Sequence, residues 1–173
     1  EYGALAEARK TIELGLNRLL AEPAETKDGH RITLSANIEH PDEIEAVKQH
    51  GAEGVGLFRS EYLFIFRGAA VGEDERSVAY TKLATALHPD PVIIRTLDLG
   101  GDKFFRDGLG HDELNPFLGC RSIRLSLQYP KQFKSQMRAI LRASSVGNVK
   151  IMYPMISNVD EILQANKLLE EAK

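Results

Sequence analysis

The stretch EGVGLF, Glu53 to Phe58, is short, apolar and bounded by glycine, and Arg59 follows it at once. A run of this length without polar alternation suits a strand covered on both faces, and such strands belong to parallel sheets in which a helix separates each strand from the next. The neighbouring segments therefore decide the fold. Downstream, a helix is expected from about Asp74 to Leu87, and PVIIRTL, Pro91 to Leu97, forms a β-branched strand. Arg121 to Ala143 reads as mostly helical, broken at Pro130, because proline lacks the N–H that a helix interior uses. VKIMYPM, Val149 to Met155, is a further strand, and a helix follows from about Asn158 to Lys173.

Upstream, RITLSANI, Arg31 to Ile38, alternates as a strand does. Pro41 stands where a first helical turn tolerates proline, and Asp42, Glu43 and Glu45 favour a helix N-terminus that leads to an end near Gly51. Before these lies a polar stretch, Ala21 to Gly29, with proline and an Asp-Gly pair. From Tyr2 to Leu20, Leu5, Ala8, Ile12, Leu16, Leu19 and Leu20 recur at helical spacing, so residues 1–24 are expected to form a connector helix ahead of an α/β unit over 25–173. The reading is four strands, each followed by helix. That alternation calls for a parallel α/β architecture, either a (β/α)8 barrel or an open doubly wound sheet, and the residues alone leave both open. Four units are half of a barrel of about 250 residues, and by themselves would leave two strand edges and an apolar face unpaired.

A net charge of -3 argues against a general affinity for nucleic acid or an anionic membrane, which would need a surplus of Lys and Arg on one face. Any anion site must be local. The single cysteine, Cys120, excludes an intramolecular disulfide and a multi-cysteine zinc site and suits a reducing cytoplasm. No apolar run approaches the roughly 20 residues that span a bilayer, and EYGALAEARK has no signal-peptide h-region, so the expectation is a cytoplasmic protein.

Arg59 stands at the end of one strand and Arg95 near the end of the next. Ligands of parallel α/β folds bind beside the carboxyl ends of strands, so successive units could deliver two arginines to one anion. The planar guanidinium offers paired hydrogen bonds to a carboxylate or phosphate and keeps its charge at any working pH. The structural alternative is that each arginine pairs with a nearby acid, Glu61 or Asp98. RTLDLGGDK, Arg95 to Lys103, ends in a Gly100-Gly101 turn; Asp98 and Asp102 beside it read better as loop caps than as metal ligands. Within NPFLGCRSIR, Asn115 to Arg124, Arg121 and Arg124 open a helix whose N–H groups favour anions, and Arg121 is the better candidate. Cys120 reads as a small buried hydrophobe, and the five scattered histidines read as surface residues.

GAEGVGLFRSEYLF at Gly51 to Phe64, VIIRTLDLGGDK at Val92 to Lys103, NPFLGCRSIR at Asn115 to Arg124 and IMYPMIS at Ile151 to Ser157 resemble, in order and in spacing, the signature of the Enzyme I family of the bacterial sugar phosphotransferase system. DGHRITLSANI, Asp28 to Ile38, is similar to the family's first barrel strand. The resemblance implies the first half of a phosphoenolpyruvate-binding (β/α)8 TIM barrel, about four βα units, preceded by a connector helix from the phosphohistidine domain. It also implies an enzyme that moves the phosphoryl group of phosphoenolpyruvate to its own histidine and then to the carrier HPr, and that forms a homodimer through the barrel. Carried onto this sequence, it assigns phosphoenolpyruvate binding to Arg59 and Arg95, with Arg121 assisting. Magnesium is implied for the full-length enzyme, its ligands and the proton-donating cysteine lying on later strands.

Pyruvate phosphate dikinase and phosphoenolpyruvate synthase share this kind of barrel, but RTLDLGGDK points away from them. Phe104, Phe105 and Arg106 depart from the family's usual Pro-Tyr pair after GGDK. A reading of a different class is a non-catalytic half-barrel serving assembly or regulation.

Overall fold

In the computed structural model the described residues are 2–16, 19–20, 22–65, 71–100 and 119–173. Helix α1 covers Tyr2–Leu16, and Leu5, Ile12 and Leu16 on it are exposed. Its sequence expectation ran to Leu20; Leu19 and Leu20 instead sit in a turn closed by the Glu22 N–H donating to the Leu19 carbonyl at 3.1 Å. The remaining elements are β1 (Ala36–Ile38), α2 (Ile44–Gln49), β2 (Val55–Arg59), α3 (Tyr62–Ile65), α4 (Glu73–Leu87), β3 (Val92–Arg95), α5 (Ser122–Gln128), α6 (Pro130–Ala143), β4 (Val149–Met152) and α7 (Val159–Ala172).

The four strands form one parallel sheet in the order β1-β2-β3-β4. This order shows no reversal, so each crossover sends the chain one strand further in the same direction. Val55, Phe58, Val92 and Ile94 lie on one face of the sheet and join Ile44 and Val47 of α2, Tyr80, Leu83 and Leu87 of α4, and Ala139, Ile140 and Ala143 of α6 in the main core. Covering one face of a parallel sheet with successive helices removes that apolar surface from water. On the other face stand Leu57, Ile93, Arg95 and Met152, all only half-buried. A second cluster joins Ile123, Phe133 and Met137 to Ala165 and Ala172 of α7.

Local chemistry explains the element boundaries. Pro41–Glu43 forms a single 3-10 turn that runs into α2; Glu43 accepts from the backbone N–H of Glu39 at 2.9 Å and of His40 at 2.8 Å, and His40 Nδ1 accepts from Asp42 N–H at 3.1 Å. Such a reciprocal cap satisfies donors that a helix start would otherwise leave open. Pro130 separates α5 from α6 as its missing N–H requires. Asn158 caps α7 by accepting from Glu161 N–H at 3.0 Å.

The expected strand from Arg31 is shorter than its alternation implied. Only Ala36–Ile38 pairs with β2; Ile32 and Leu34 are exposed, Ile32 N–H donates to Ala24, and Arg31 forms an isolated antiparallel bridge with Glu25. Alternation marks what a segment could do in a sheet, and pairing begins only where a partner edge is available. β3 and β4 end at Arg95 and Met152, short of the expected Leu97 and Met155, although Thr96 N–H still donates to the Met152 carbonyl at 2.9 Å. Among the described residues no helix is long and apolar enough to cross a membrane.

Candidate functional site

The carboxyl ends of β2 and β3 bring Arg59 and Arg95 together: the two are Cα register partners on adjacent parallel strands. β2 is followed by a turn at 60–61 that leads into α3, and β3 by the 96–99 segment, where Thr96 N–H still bonds to β4. Neighbours in register share a face, so both arginines stand on the side opposite the helix-covered core.

Their environments differ. The side chain of Arg59 is 48% exposed and meets Glu39, one residue beyond β1, at 3.3 Å. Arg95 is 17% exposed and held on two sides: its Nε donates to Glu61 at 3.1 Å, and a terminal nitrogen meets Asp98 at 3.1 Å. The acid pairing that the sequence allowed as an alternative is therefore present for Arg95, with both Glu61 and Asp98, whereas Arg59 takes Glu39, which sequence reasoning missed. The signal was available, since an acid just past the end of the neighbouring strand falls on the same rim. Pairing does not exclude ligand binding, because a guanidinium carries five N–H donors and two acids do not use them all.

Glu61 is buried, and the same oxygen that receives Arg95 also accepts the Asp98 backbone N–H at 2.9 Å. Asp98 in turn accepts from the Ser122 hydroxyl, and Ser122 N–H donates to the Leu99 carbonyl at 3.0 Å. Ser122 has φ 53, a left-handed conformation that a non-glycine residue holds only when its surroundings compel it. This arrangement ties the residue after Arg121 to the loop after β3. Arg121 itself is half-buried, and its Nε lies out of water with no hydrogen-bond partner among the described residues. Its neighbour Arg124 donates instead to Glu161 at 3.2 Å and to Ser157 at 3.2 Å, a contact between α5 and α7. At seven residues, α5 is too short to add a substantial dipole, so the expected help from its N-terminus is small.

Beneath the arginines runs a buried polar chain. Ser60 donates to the Arg95 carbonyl at 2.8 Å and receives the Gln136 amide at 2.9 Å, and that amide also reaches the Tyr80 hydroxyl at 3.4 Å. The Gln136 oxygen accepts Leu97 N–H at 3.1 Å. Burial pushes the Tyr80 hydroxyl pKa up, so it is a neutral partner at any working pH. Gln136 was not singled out by sequence, though Phe133, Gln136, Met137 and Ile140 fall at the spacing of one buried helix face and an amide there is out of place.

Gly101, Asp102, Lys103, Phe104, Phe105, Arg106 and the Asn115–Leu118 part of the motif lie outside the described residues. Cys120 is half-buried. Among the described residues no three His, Cys, Asp or Glu side chains converge to hold a metal, and Glu61 and Asp98 are engaged by Arg95. They do not fit a magnesium site.

Residues 14–173 match the family model described as PEP-utilising enzyme, PEP-binding domain. The chain belongs to the PEP-utilising enzyme family. It is similar to the phosphoenolpyruvate-protein phosphotransferase of Bacillus sp. (strain S), 46% identical over 156 residues, which is 90% of this chain and 27% of the relative. The phosphotransferase of Latilactobacillus sakei is 39% identical over 173 residues, 100% of this chain and 30% of the relative. The multiphosphoryl transfer protein of Rhodobacter capsulatus is 47% identical over 152 residues, 88% of this chain and 18% of the relative. The chain thus spans less than a third of the curated relatives it matches, and the stretch it shares with the PEP-utilising family is the named PEP-binding domain.

Proposed function

We propose that this chain is the phosphate-gripping portion of a phosphoenolpyruvate-protein phosphotransferase, the first four βα units of a (β/α)8 barrel. The observation that carries the reading is the register pairing of Arg59 with Arg95 at the carboxyl rim of the sheet. Two guanidinium groups issuing from adjacent strands suit a small dianion, and Arg121, whose neighbour Ser122 is tied to the loop after β3, is assigned an assisting role. The sequential strand order and the helices gathered on one face support a barrel segment over a doubly wound sheet, in which the order would reverse at a switch point. The family match and the names of the relatives support the substrate and the reaction.

In this reading the arginines bind and orient phosphoenolpyruvate. They also offset the charge that spreads over the phosphoryl oxygens as the group leaves the enolate for a histidine and then passes to HPr. That histidine, the magnesium ligands and the proton donor are assigned to no described residue, and a homodimer through the barrel completes the proposal.

The test is a nuclear magnetic resonance titration of the 173-residue chain with millimolar phosphoenolpyruvate, following arginine Nε–Hε signals. Arg59 and Arg95 signals move in the native sequence and phosphoenolpyruvate shifts nothing in the Arg59→Ala/Arg95→Ala double variant. Native signals that ignore the ligand would overturn the assignment.

A further inference from the structure

The two arginines stand on neighbouring strands, but a register alone does not hold strand ends still. Both strands finish at these residues, although Thr96 N–H, just past Arg95, still donates to the Met152 carbonyl. Beside the Glu61 carboxylate, which accepts from Arg95 and from Asp98 N–H, a side chain from the helix layer also joins the two exits. Gln136 of α6 is 1% exposed; its oxygen accepts the N–H of Leu97, two residues past Arg95, and its amide nitrogen donates to Ser60, the residue after Arg59. Ser60 passes the link on, its hydroxyl donating to the carbonyl of Arg95 itself. The amide can be oriented only this way, because Leu97 N–H requires an acceptor and a hydroxyl already donating to a carbonyl requires a donor.

We propose that Gln136 is a positioning residue which, through Ser60 and Leu97, sets the relative placement of Arg59 and Arg95 and so governs their joint grip on a phosphorylated carboxylate.

Gln136 does not reach the ligand; it acts through the strand ends. Ser60, Tyr80 and Gln136 are all fully buried, so water cannot substitute for a lost partner, and a change at any one is felt by the others. An amide is also a costly choice for mere packing. The position lies in the apolar stripe of α6 between Phe133 and Ile140, where Met or Leu would fill similar space with nothing to satisfy. Arg95 is then trimmed by Glu61 and Asp98, which hold the guanidinium while Gln136 and Ser60 hold the backbone that carries it.

The inference rests on the reading of Arg59 and Arg95 as a phosphoenolpyruvate site, so the experiment separates the two. In the 173-residue chain, Gln136→Met, Ser60→Ala and the double variant are compared with the native sequence by urea unfolding, by arginine Nε–Hε spectra and by titration with phosphoenolpyruvate. Gln136→Met is expected to unfold cooperatively, to broaden the Arg95 signal and to weaken phosphoenolpyruvate about tenfold, which corresponds to about 1.4 kcal/mol. The double variant should be no weaker than the weaker single one, because both changes cut the same link.

Native affinity and an unchanged Arg95 signal in a folded Gln136→Met would overturn the proposal, as would additive losses in the double variant. If Gln136→Met does not fold, Ser60→Ala, which removes one hydroxyl, decides alone: unaltered affinity overturns it. Should the native chain not bind phosphoenolpyruvate, the substrate reading fails by itself, and positioning is still judged by whether Gln136→Met and Ser60→Ala disturb the Arg95 signal.

Discussion

Arg95 is fastened to Glu61 and Asp98 while its register partner Arg59 leans out to Glu39, so two arginines at the same height on adjacent strands have different mechanical roles. Arg95 is part of the framework as well as of the rim. Arg59 can rearrange with little cost to the fold. The pair resembles a fixed jaw and a movable one, and each jaw gives its own experimental signature.

Arg95→Ala leaves the largely buried Glu61 and Asp98 carboxylates without the cation they share, so it should lower stability by about 3 kcal/mol and abolish phosphoenolpyruvate binding. Arg59→Ala breaks only an exposed ion pair and should change stability by no more than about 0.5 kcal/mol while still weakening the ligand strongly. Urea denaturation of both variants, set beside ligand titrations, checks the contrast; equal stability losses would contradict it.

Gly54 holds φ +109 on the approach to β2, and a Cβ built there would lie 2.5 Å from the Pro91 carbonyl oxygen. That carbonyl accepts Val55 N–H at 2.8 Å, and the Gly54 carbonyl accepts Ala36 N–H at 3.0 Å, so the position also anchors β1 and β3 to β2. Gly54→Ala combines an unfavourable φ with a backbone clash and is expected to cost at least about 2 kcal/mol. A denaturation midpoint that stays put would refute this.

Glu161 accepts backbone N–H groups of Ser157 and Asn158 and the Arg124 guanidinium, and these bonds, the Ser157 N–H foremost, hold its pKa below the ordinary 4.5. A carboxyl whose pKa falls on folding adds stability that is complete above its unfolded value and is lost as pH drops through the folded one. Melting temperatures of the native chain and of Glu161→Gln should therefore differ by a constant amount near neutrality and converge in acid. A gap that widens on acidification would reverse the sign. At neutral pH, Asn158→Ala should lose about 1 kcal/mol through the same cap.

Purified alone, the 173-residue chain should not phosphorylate HPr from phosphoenolpyruvate, because no described residue is assigned the histidine, metal or proton-donor role. A radiolabelled transfer assay checks this, and labelled HPr would overturn the division of labour proposed for the chain.

The face carrying Leu57, Ile93 and Met152 is only half covered, and Leu5, Ile12 and Leu16 of α1 are exposed. Apolar surface of this extent favours association. Sedimentation velocity across a wide concentration range should show mass increasing with concentration; a monomer throughout would count against a dimer formed by this chain.

The order of residues determined the alternation of strand and helix, the break at Pro130 and the placement of Arg59 and Arg95 at strand ends, because these depend on local pattern and on where short apolar runs stop. Local pattern also suggested a strand from Arg31, whereas pairing with β2 begins only at Ala36. Only the tertiary structure decided which acid each arginine meets, that Ser122 is bent back onto Asp98, and that Gln136 ties the two strand exits together. Apart from the Arg95–Asp98 pair, those contacts join residues 20 or more positions apart, and a hydrogen bond becomes definite only once the backbone has brought a donor and an acceptor within about 3 Å of each other.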